Sequence, residues 1–216
     1  VATFLERDLP ALGIGIPPQS LRRFWMMLAH YHGQLLNFSE LGRSFGAADT
    51  TIRGYLDILE ATFMVRLLQP WHENVGKRQV KAPKLFFRDP GLLHTLLGIS
   101  DLDALLHHPK LGSSWEGFAL EETLRALGVD REDAWFWATH AGAELDLLVT
   151  SGGRRLGFEI KYTASPRLTK SMRSAMDTLH LDRLVVIYPG ERQLALAEQI
   201  QSLGLTDLVK NAGEFA

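Results

Sequence analysis

The 216-residue sequence contains no cysteine. This absence excludes a disulfide framework and thiolate metal sites, so any metal ligand must be a histidine or a carboxylate. A strong charge of either sign is also missing, because the formal net charge is −2 at pH 7. A surface that is basic throughout, as a nucleic-acid coat protein needs, is thereby excluded, whereas local basic patches are not.

Long apolar runs are missing as well. No stretch approaches the roughly 18 apolar residues of a membrane span, and no signal peptide opens the chain. We therefore expect a soluble, cytoplasmic protein without a membrane partner. The phosphate-binding pattern GxxxxGK[ST] does not occur either, so this chain by itself is not expected to bind ATP.

What is present is enough apolar sequence to form real cores, since 46% of the residues are hydrophobic and 22% are charged. The patterning changes near the middle of the chain. We predict the α/β class with two domains: a helical and winged-helix domain over residues 1–98, and an α/β domain with a mixed sheet over residues 112–216.

The first predicted domain begins with helices. Apolar residues at helical spacing predict a helix over residues 18–32. Two shorter helices, over residues 39–45 and 50–60, enclose a break at Gly46 and form a helix-turn-helix. Two strand-like segments follow within residues 63–89, and a hairpin after a helix-turn-helix is the arrangement of a winged helix.

The second predicted domain alternates helices and strands. Helices are predicted over residues 113–128 and 165–180, the latter with Ser165 as its N-cap. The apolar run at residues 183–188 predicts a strand buried on both faces and parallel to the strand before that helix. From Glu191 onward the pattern fits helix and strand equally.

Charged residues alternate with apolar ones on two predicted strands joined by Gly152–Gly153. With a two-residue turn, Asp146 lies opposite Glu159, and Glu144 lies opposite Lys161. Opposed carboxylates repel each other and favour a cation, and oxygen ligands suit Mg²⁺ or Mn²⁺. Lys161 would then orient the attacking water or neutralise charge on a phosphate.

The same alternation is typical of a hairpin with one face in solvent. Against this alternative, Leu148 shares the charged face, and the buried strand further on implies that helices cover the sheet. Glu116 lies on the core-facing side of its predicted helix and is a third candidate acid. Its alternative role is a capping box with Ser113.

A helix acid, then Asp146, then Glu159, Ile160 and Lys161 on the next strand resembles the PD-(D/E)XK, or restriction-endonuclease-like, superfamily. This sequence has Leu145 where the name of the motif has proline. The resemblance implies a metal-dependent nuclease fold for the second domain. It implies Asp146, Glu159, Lys161 and Glu116 as catalytic residues, and Asp146, Glu159 and Glu144 as metal ligands.

The wider chain looks like the C-terminal region of prokaryotic AAA+-type ATP-binding proteins. The segments that carry this resemblance are "FLERDLPALGI", "LLNFSELGRSFG", "TIRGYLDILEATFMVRLLQPW", "KAPKLFFRDPGLL", "WEGFALEETLR", "AELDLLV" and "FEIKY". The resemblance implies an ATPase module before Val1, which would hold the ATP, and a C-terminal nuclease-like domain of unknown function.

Basic residues in three places are candidates for contact with nucleic acid. The helix-turn-helix offers Arg53, and the helix after the motif offers Arg167 and Lys170. The wing offers four basic residues: Lys77, Arg78, Lys81 and Lys84. The alternatives are a winged helix that packs against protein and a helix face that is merely solvated.

Two functional hypotheses follow. The first is a Mg²⁺- or Mn²⁺-dependent nuclease domain that acts on DNA phosphodiesters. The second is a non-cleaving region that binds DNA or protein and regulates the ATPase module. The expected partners are DNA, that module and, as a further candidate, a second copy of the chain. The histidine pairs at His30 and His32 and at His107 and His108 are expected to be surface or packing residues.

Overall fold

The computed structural model describes residues 3–11, 15–73 and 79–215. The chain forms two compact units. The first comprises Val1–Leu67 and Leu85–Ser114, and the second comprises Leu68–Lys84 and Trp115–Ala216. The segment Leu68–Lys84, which sequence patterning places in the first domain, is therefore part of the second unit. Within the described ranges no helix is long and apolar enough to cross a membrane.

The first unit is mainly helical. A π-helical turn at Phe4–Asp8 precedes the helices, and α1 is a short turn. The elements, in chain order, are α1 (Leu9–Ala11), α2 (Pro18–His30), β1 (Gln34–Leu35), α3 (Phe38–Phe45), α4 (Asp49–Ala61), the start of β2 (Val65–Pro70), most of β3 (Lys84–Phe87), α5 (Pro90–Leu97), α6 (Leu102–Leu106) and the start of α7 (Leu111–Leu127).

The predicted helix-turn-helix is present as two helices around a glycine. Asn37 caps α3 by accepting a hydrogen bond from the N–H of Glu40, at 3.1 Å. Gly46 ends α3 with φ 79°, a conformation that favours glycine. Ile52, Leu56 and Leu59 of α4 are buried, as their spacing predicts. These helices are confirmed, whereas the winged-helix assignment stays a prediction.

The second unit is a mixed α/β structure. Its elements are the end of β2, the first residue of β3, most of α7, a 3₁₀ turn at Arg131–Asp133, β4 (Ala134–Ala138), β5 (Glu144–Ser151), β6 (Arg154–Ile160), α8 (Lys170–Leu179), β7 (Arg183–Tyr188), β8 (Leu194–Ala197), β9 (Ile200–Gly204), α9 (Leu205–Lys210) and a 3₁₀ turn at Ala212–Glu214.

The sheet of this unit has the order β2-β4-β5-β6-β7-β9-β8. Strands β2 and β4 are parallel, as are β6 with β7 and β7 with β9, whereas β4–β5, β5–β6 and β8–β9 are antiparallel. The sheet is therefore mixed, as expected. The predicted parallel pairing of residues 183–188 with the strand before α8 is confirmed.

The hairpin register is also confirmed. Leu147 pairs with Phe158 and Ser151 with Arg154, which is the register that a two-residue Gly152–Gly153 turn dictates. Both glycines have positive φ, 57° and 79°, as the favoured tight turn requires. The paired residues end at Leu147 and Phe158, so Asp146 and Glu159 follow one position beyond the last pair in the predicted register.

One expectation for the second unit is corrected, and one open alternative is resolved. The helix predicted over residues 165–180 begins only at Lys170, because the hydroxyl of Thr169 accepts the N–H of Met172, at 3.2 Å, and caps α8 there. The chain after Glu191 forms β8, β9 and α9. These short elements have no period strong enough to distinguish strand from helix in the sequence.

Helix α8 covers the sheet beside the hairpin. Met172, Ala175 and Leu179 of α8 pack in one buried cluster with Leu145 and Leu148 of β5. The hydroxyl of Ser171 in α8 also forms hydrogen bonds with the backbone of Glu144 at the start of β5. The hairpin strands are interior in the sheet, and Asp146 and Glu159 of its charged face are themselves buried, so the alternative of a solvent-facing hairpin is wrong.

Candidate functional site

The two central carboxylates are buried. Asp146 on β5 is 5% exposed, and Glu159 on β6 is 4% exposed. The N–H of Ile160 donates a hydrogen bond to Asp146 Oδ2 at 2.8 Å, which fixes the Asp146 side chain against β6. The hairpin therefore brings both acids together inside the protein, where an ionised carboxylate needs a cation.

Lys161 supplies one such cation. Its Nζ lies 2.7 Å from Glu159 Oε1 and 3.7 Å from Asp146 Oδ2. The Lys161 side chain is 43% exposed, so its ammonium connects buried acids with solvent. The predicted trio of Asp146, Glu159 and Lys161 is therefore assembled in one place.

Lys84 supplies a second cation, which the sequence patterning assigns to the wing. It is buried, ion-pairs with Glu144, and lies 3.6 Å from Glu116 Oε1 and 3.9 Å from Asp146 Oδ1. The interpretation of Lys84 as an exposed residue of the wing is wrong, because three carboxylates surround its ammonium. Glu144 likewise forms its ion pair with Lys84, not with the predicted partner Lys161.

These six residues, Lys84, Glu116, Glu144, Asp146, Glu159 and Lys161, form what we call the acid–lysine cluster. Its members come from β3, α7, β5, β6 and the residue after β6. Ser171 Oγ supports the cluster from α8, since it accepts the N–H of Glu144 and donates to the Glu144 carbonyl, both at 2.6 Å. The start of β5 is thereby held in place.

Glu116 joins the acid–lysine cluster from α7. The predicted capping box with Ser113 is wrong, because α7 begins at Leu111 and Ser113 Oγ donates to the carbonyl of Lys110. Glu116 instead shares Lys84 with Asp146. This placement matches the expectation that the Glu116 carboxylate points toward the other acids.

The acid–lysine cluster carries more carboxylates than ammonium groups. Burial and then the negative charge of Asp146 raise the pKa of Glu116 to about 7 and that of Glu159 to about 8. Burial opposes the charged form of Lys84 and Lys161, but the surrounding carboxylates raise the pKa of both above the usual lysine value. Both lysines therefore stay protonated, and without a further cation Glu159 and part of Glu116 hold protons at neutral pH, which a bound cation would displace.

Two buried carboxyl oxygens indicate where a cation would replace those protons. Within the described residues, Glu159 Oε2 and Glu116 Oε1 are buried without a hydrogen-bond partner, although Glu116 Oε1 lies 3.6 Å from Lys84 Nζ. The atoms nearby that can bind a metal ion are carboxylate oxygens, which Mg²⁺ and Mn²⁺ prefer as ligands. No group of three or more His, Cys, Asp or Glu in the described ranges is arranged to hold a metal ion. The donor chemistry thus fits a cation that takes two carboxylates, Asp146 and Glu159, and completes its shell with water.

Apart from Lys84, none of the described candidates for contact with nucleic acid is a member of the acid–lysine cluster. Lys77 and Arg78 are outside the described residues. Lys81 is exposed and lines a cavity of about 530 Å³ with His72, Gln79 and His140. Arg167 and Lys170 are exposed just before and at the start of α8.

Arg53 belongs to the first unit and is also exposed, with its guanidinium carbon 3.9 Å from the centre of the Phe38 ring. It does not join the acid–lysine cluster.

The paired histidines behave as the sequence suggests. His32 is buried, its Nδ1 accepts the N–H of Phe87, and its Nε2 lies 2.9 Å from the carbonyl of Ser113. Burial lowers the pKa of His32 to about 4, so it is a neutral packing residue. His107 is exposed, and its Nδ1 contacts the carbonyl of Asp103.

Lys84 is the one member of the acid–lysine cluster that sequence patterning does not assign to the site. A weak signal exists, since Lys84 opens a run of four buried residues, "KLFF". A lysine at the start of a buried strand needs a counter-ion. The sequence does not say which acid supplies it.

The fold and the site define a mixed α/β protein with a buried carboxylate–lysine centre. Residues 1–103 match a domain of unknown function (DUF8612), and residues 111–208 match another domain of unknown function (DUF4143). Two uncharacterized proteins, Rv2008c of Mycobacterium tuberculosis and Mb2031c of Mycobacterium bovis, are each 52% identical over 200 residues. The match covers 93% of this chain and 45% of each relative, so the chain spans less than half of their length. No solved structure matches the chain.

Proposed function

We propose that the acid–lysine cluster is the centre of a metal-dependent phosphodiesterase that acts on DNA. The observation that carries the proposal is the buried trio of Asp146, Glu159 and Lys161, in which the carboxylates outnumber their cations and one Glu159 oxygen has no partner among the described residues. A metal ion bound at this trio would supply positive charge, and that charge would stabilise a bound phosphate.

Two further points support this proposal at the level of the fold. The order of a helix acid, Asp146, Glu159 and Lys161 over α7, β5 and β6 is that of the restriction-endonuclease-like motif. The second domain match is to a domain that commonly accompanies AAA-type ATPases. We therefore propose a winged helix and a restriction-endonuclease-like domain that belong to a longer protein with an ATPase module.

Each residue has a role that follows from its position. Asp146, held by the Ile160 N–H, and Glu159 would hold Mg²⁺ or Mn²⁺. When bound, such an ion supplies a Lewis acid for the phosphate and lowers the pKa of water. Lys161, ion-paired yet open to solvent, would neutralise the charge that develops on the phosphate oxygens.

The outer acids have a different role. Lys84 holds Glu116 and Glu144 by ion pairs, so these two carboxylates are restrained on its side of the acid–lysine cluster. Glu116 has a pKa of about 7 and can accept a proton from water at neutral pH. We propose that it acts as an accessory base, with Glu144 as an accessory acid that orients Lys84.

The second candidate function is a non-cleaving region that binds DNA or protein and regulates the ATPase module. The observation that favours it is Lys84, which already gives three carboxylates a cation. In that case the acid–lysine cluster would only stabilise the fold, and metal ions would have no effect on it.

Thermal melting with and without metal separates the two candidates. An ion that binds only the folded state at about 100 times its dissociation constant adds roughly 2.7 kcal/mol of stability. We expect Mg²⁺ or Mn²⁺, titrated into the millimolar range, to raise the melting temperature of the parent and of Asp177→Asn, an exposed control on α8. Asp146→Asn should abolish most of that rise.

Cleavage is the second measurement. Several forms of DNA would be incubated with the parent, with Lys161→Met and with Asp177→Asn in Mn²⁺. Lys161→Met should still bind metal, because it removes a neighbouring positive charge, but it should lose cleavage. If neither ion shifts the melt and Asp146→Asn is thermally silent, the non-cleaving candidate is correct.

A further inference from the structure

Two aromatic residues are next in sequence to members of the acid–lysine cluster. Trp115 immediately precedes Glu116, and Tyr162 immediately follows Lys161. Their rings are in contact, with centroids 6.1 Å apart and planes at 61°. Consecutive Cα atoms are about 3.8 Å apart, so the backbone that carries each ring is one residue away from a member of the acid–lysine cluster.

Two of the aromatic rings in this group are partly exposed to solvent. Tyr162 is 46% exposed and Phe118 is 38% exposed, and the Phe118 ring contacts Trp115 with centroids 6.0 Å apart. Buried cores, not surfaces, are the usual place for such rings. The partly exposed rings of Tyr162 and Phe118, which both contact Trp115, are therefore available to a ligand.

A cavity of about 470 Å³ opens next to these rings, a volume within the range of small-ligand sites. Its aromatic and aliphatic lining includes Trp115, Phe118, Leu205 and Val209. The cavity therefore offers ring faces and apolar surface to a flat group.

The charged residues that line the cavity indicate which kind of flat ligand it accepts. They are the acids Glu122 and Glu191 and the base Lys210, so the lining carries no excess of positive charge. Glu122 also forms an ion pair with Arg125. The cavity therefore has no net positive charge to attract a phosphate or a lipid headgroup, whereas a neutral, flat heteroaromatic ring would be accepted.

We infer that the cavity at Trp115 and Phe118, together with the exposed ring of Tyr162, binds an unpaired nucleobase next to the phosphate held at the acid–lysine cluster. This inference rests on the proposed function and specifies its substrate as DNA with unpaired bases, because a base in a duplex cannot offer its face to a side chain. Stacking accepts every base, so no sequence preference is expected from these rings.

Binding without metal or cleavage tests the inference separately from catalysis. The probe is a labelled single-stranded DNA of about 12 nucleotides, compared with the same sequence as a duplex, in EDTA, with affinity measured by fluorescence anisotropy. We expect the single strand to bind more tightly. Tyr162→Ala and Phe118→Ala should each weaken that binding by roughly 5- to 100-fold and leave duplex binding unchanged.

Two variants serve as controls. Tyr162→Phe keeps the ring and should retain the parental affinity. Phe63→Ala removes a ring that is 71% exposed in the first unit and should also leave affinity unchanged. Circular dichroism melts verify that every variant folds, and the exposed position of Tyr162 keeps the test usable if Phe118→Ala unfolds.

The outcomes separate the inference from the proposed function. Equal affinity for single strand and duplex, or an unchanged affinity of Tyr162→Ala, overturns the inference even where the parent cleaves DNA with Mn²⁺. Single-strand binding that depends on the rings, in a protein whose melt ignores Mg²⁺ and Mn²⁺, supports the base site and overturns the nuclease. A parent that binds neither DNA form in EDTA overturns the base site, and the cleavage measurement in Mn²⁺ decides the nuclease separately.

Discussion

The backbone N–H of Ile160 donates its hydrogen bond to the carboxylate of Asp146, not to a carbonyl of β5. The ladder between β5 and β6 has its last pair at Leu147 and Phe158, and this side-chain bond continues the connection beyond it. Asp146 therefore stabilises the sheet in addition to its proposed chemistry. Its replacements must be chosen with both roles in mind.

Asp146→Asn and Asp146→Ala should differ in metal-free stability. Asparagine keeps an acceptor for the Ile160 N–H and removes one negative charge from a cluster with excess negative charge, so we expect stability equal to or above that of the parent. Alanine leaves a buried N–H unpaired and should cost about 1–3 kcal/mol. Urea unfolding in EDTA measures both. Equal stability of the two variants would show that this hydrogen bond contributes nothing.

Lys84→Met should destabilise the metal-free protein strongly. It leaves Glu116, Glu144 and Asp146 without their buried cation, and loss of one member of a buried ion pair costs about 3–5 kcal/mol. Adding Glu144→Gln should recover part of the loss, and Mg²⁺ should recover more stability than it adds to the parent. Lys170→Met, at an exposed lysine, is the control in the same urea titrations. Similar losses for both lysines would contradict the ion-pair network.

Metal-free stability should fall as the pH rises from about 4.5 to about 8. The pKa values of Glu116 and Glu159 are raised in the folded protein, from 4.5 to about 7 and about 8. Between these limits the folded state binds more protons than the unfolded state, so raising the pH favours unfolding. Glu159→Gln cannot titrate and should flatten this slope. Melting temperatures in EDTA across this pH range measure the slope, and an identical slope for variant and parent would contradict the raised pKa of Glu159.

His32 should oppose part of this trend between about pH 4 and 6.5. Burial lowers its pKa from 6.5 to about 4, so the unfolded state takes up the proton first. The stability that His32 contributes therefore falls as the pH drops through this range, where Glu116 and Glu159 act in the opposite direction. The difference in pKa corresponds to roughly 3 kcal/mol. His32→Gln should be less stable at pH 7.5 but should lose less on acidification. Parallel curves for the two proteins would mean that the fold leaves the pKa of His32 at its ordinary value.

Charge reversal at Lys77, Arg78 and Lys81 together should weaken DNA binding. Each bound phosphate releases counter-ions, so the slope of log affinity against log salt should become less steep by roughly 1 for each phosphate that the variant no longer binds. Anisotropy titrations at several salt concentrations measure this slope. Arg167→Glu tests the other basic region in the same way. An unchanged affinity and slope for the triple variant would assign the predicted wing to protein contacts.

The hairpin shows what local sequence can determine. The turn Gly152–Gly153 specifies a two-residue loop, and the alternation of side chains then places Asp146 and Glu159 without any knowledge of the rest of the sheet. Local chemistry is less decisive for α8. Ser165 and Thr169 both have the hydroxyl of an N-cap, and only the fold decides that Thr169 caps the helix.

Lys84 shows what the sequence could not determine. Its partners lie 32 to 62 residues further along the chain, and side-chain periodicity carries no information about which distant strands or helices meet. The lysine is visible in the sequence, but its surroundings are not. The wing interpretation treats it like its exposed neighbour Lys81, although its burial is the opposite.

The place of Lys84 in the chain affects how the second domain can be isolated. A fragment cut at residue 112, where sequence patterning starts that domain, keeps every carboxylate of the acid–lysine cluster but discards Lys84 together with β2, the neighbour of β4 in the sheet. Such a truncation would have a buried acid group without its internal counter-charge, and it would expose β4 as a sheet edge that invites aggregation. If that fragment is inactive or insoluble, the cause is the missing segment, and the result says nothing about the chemistry of the intact protein.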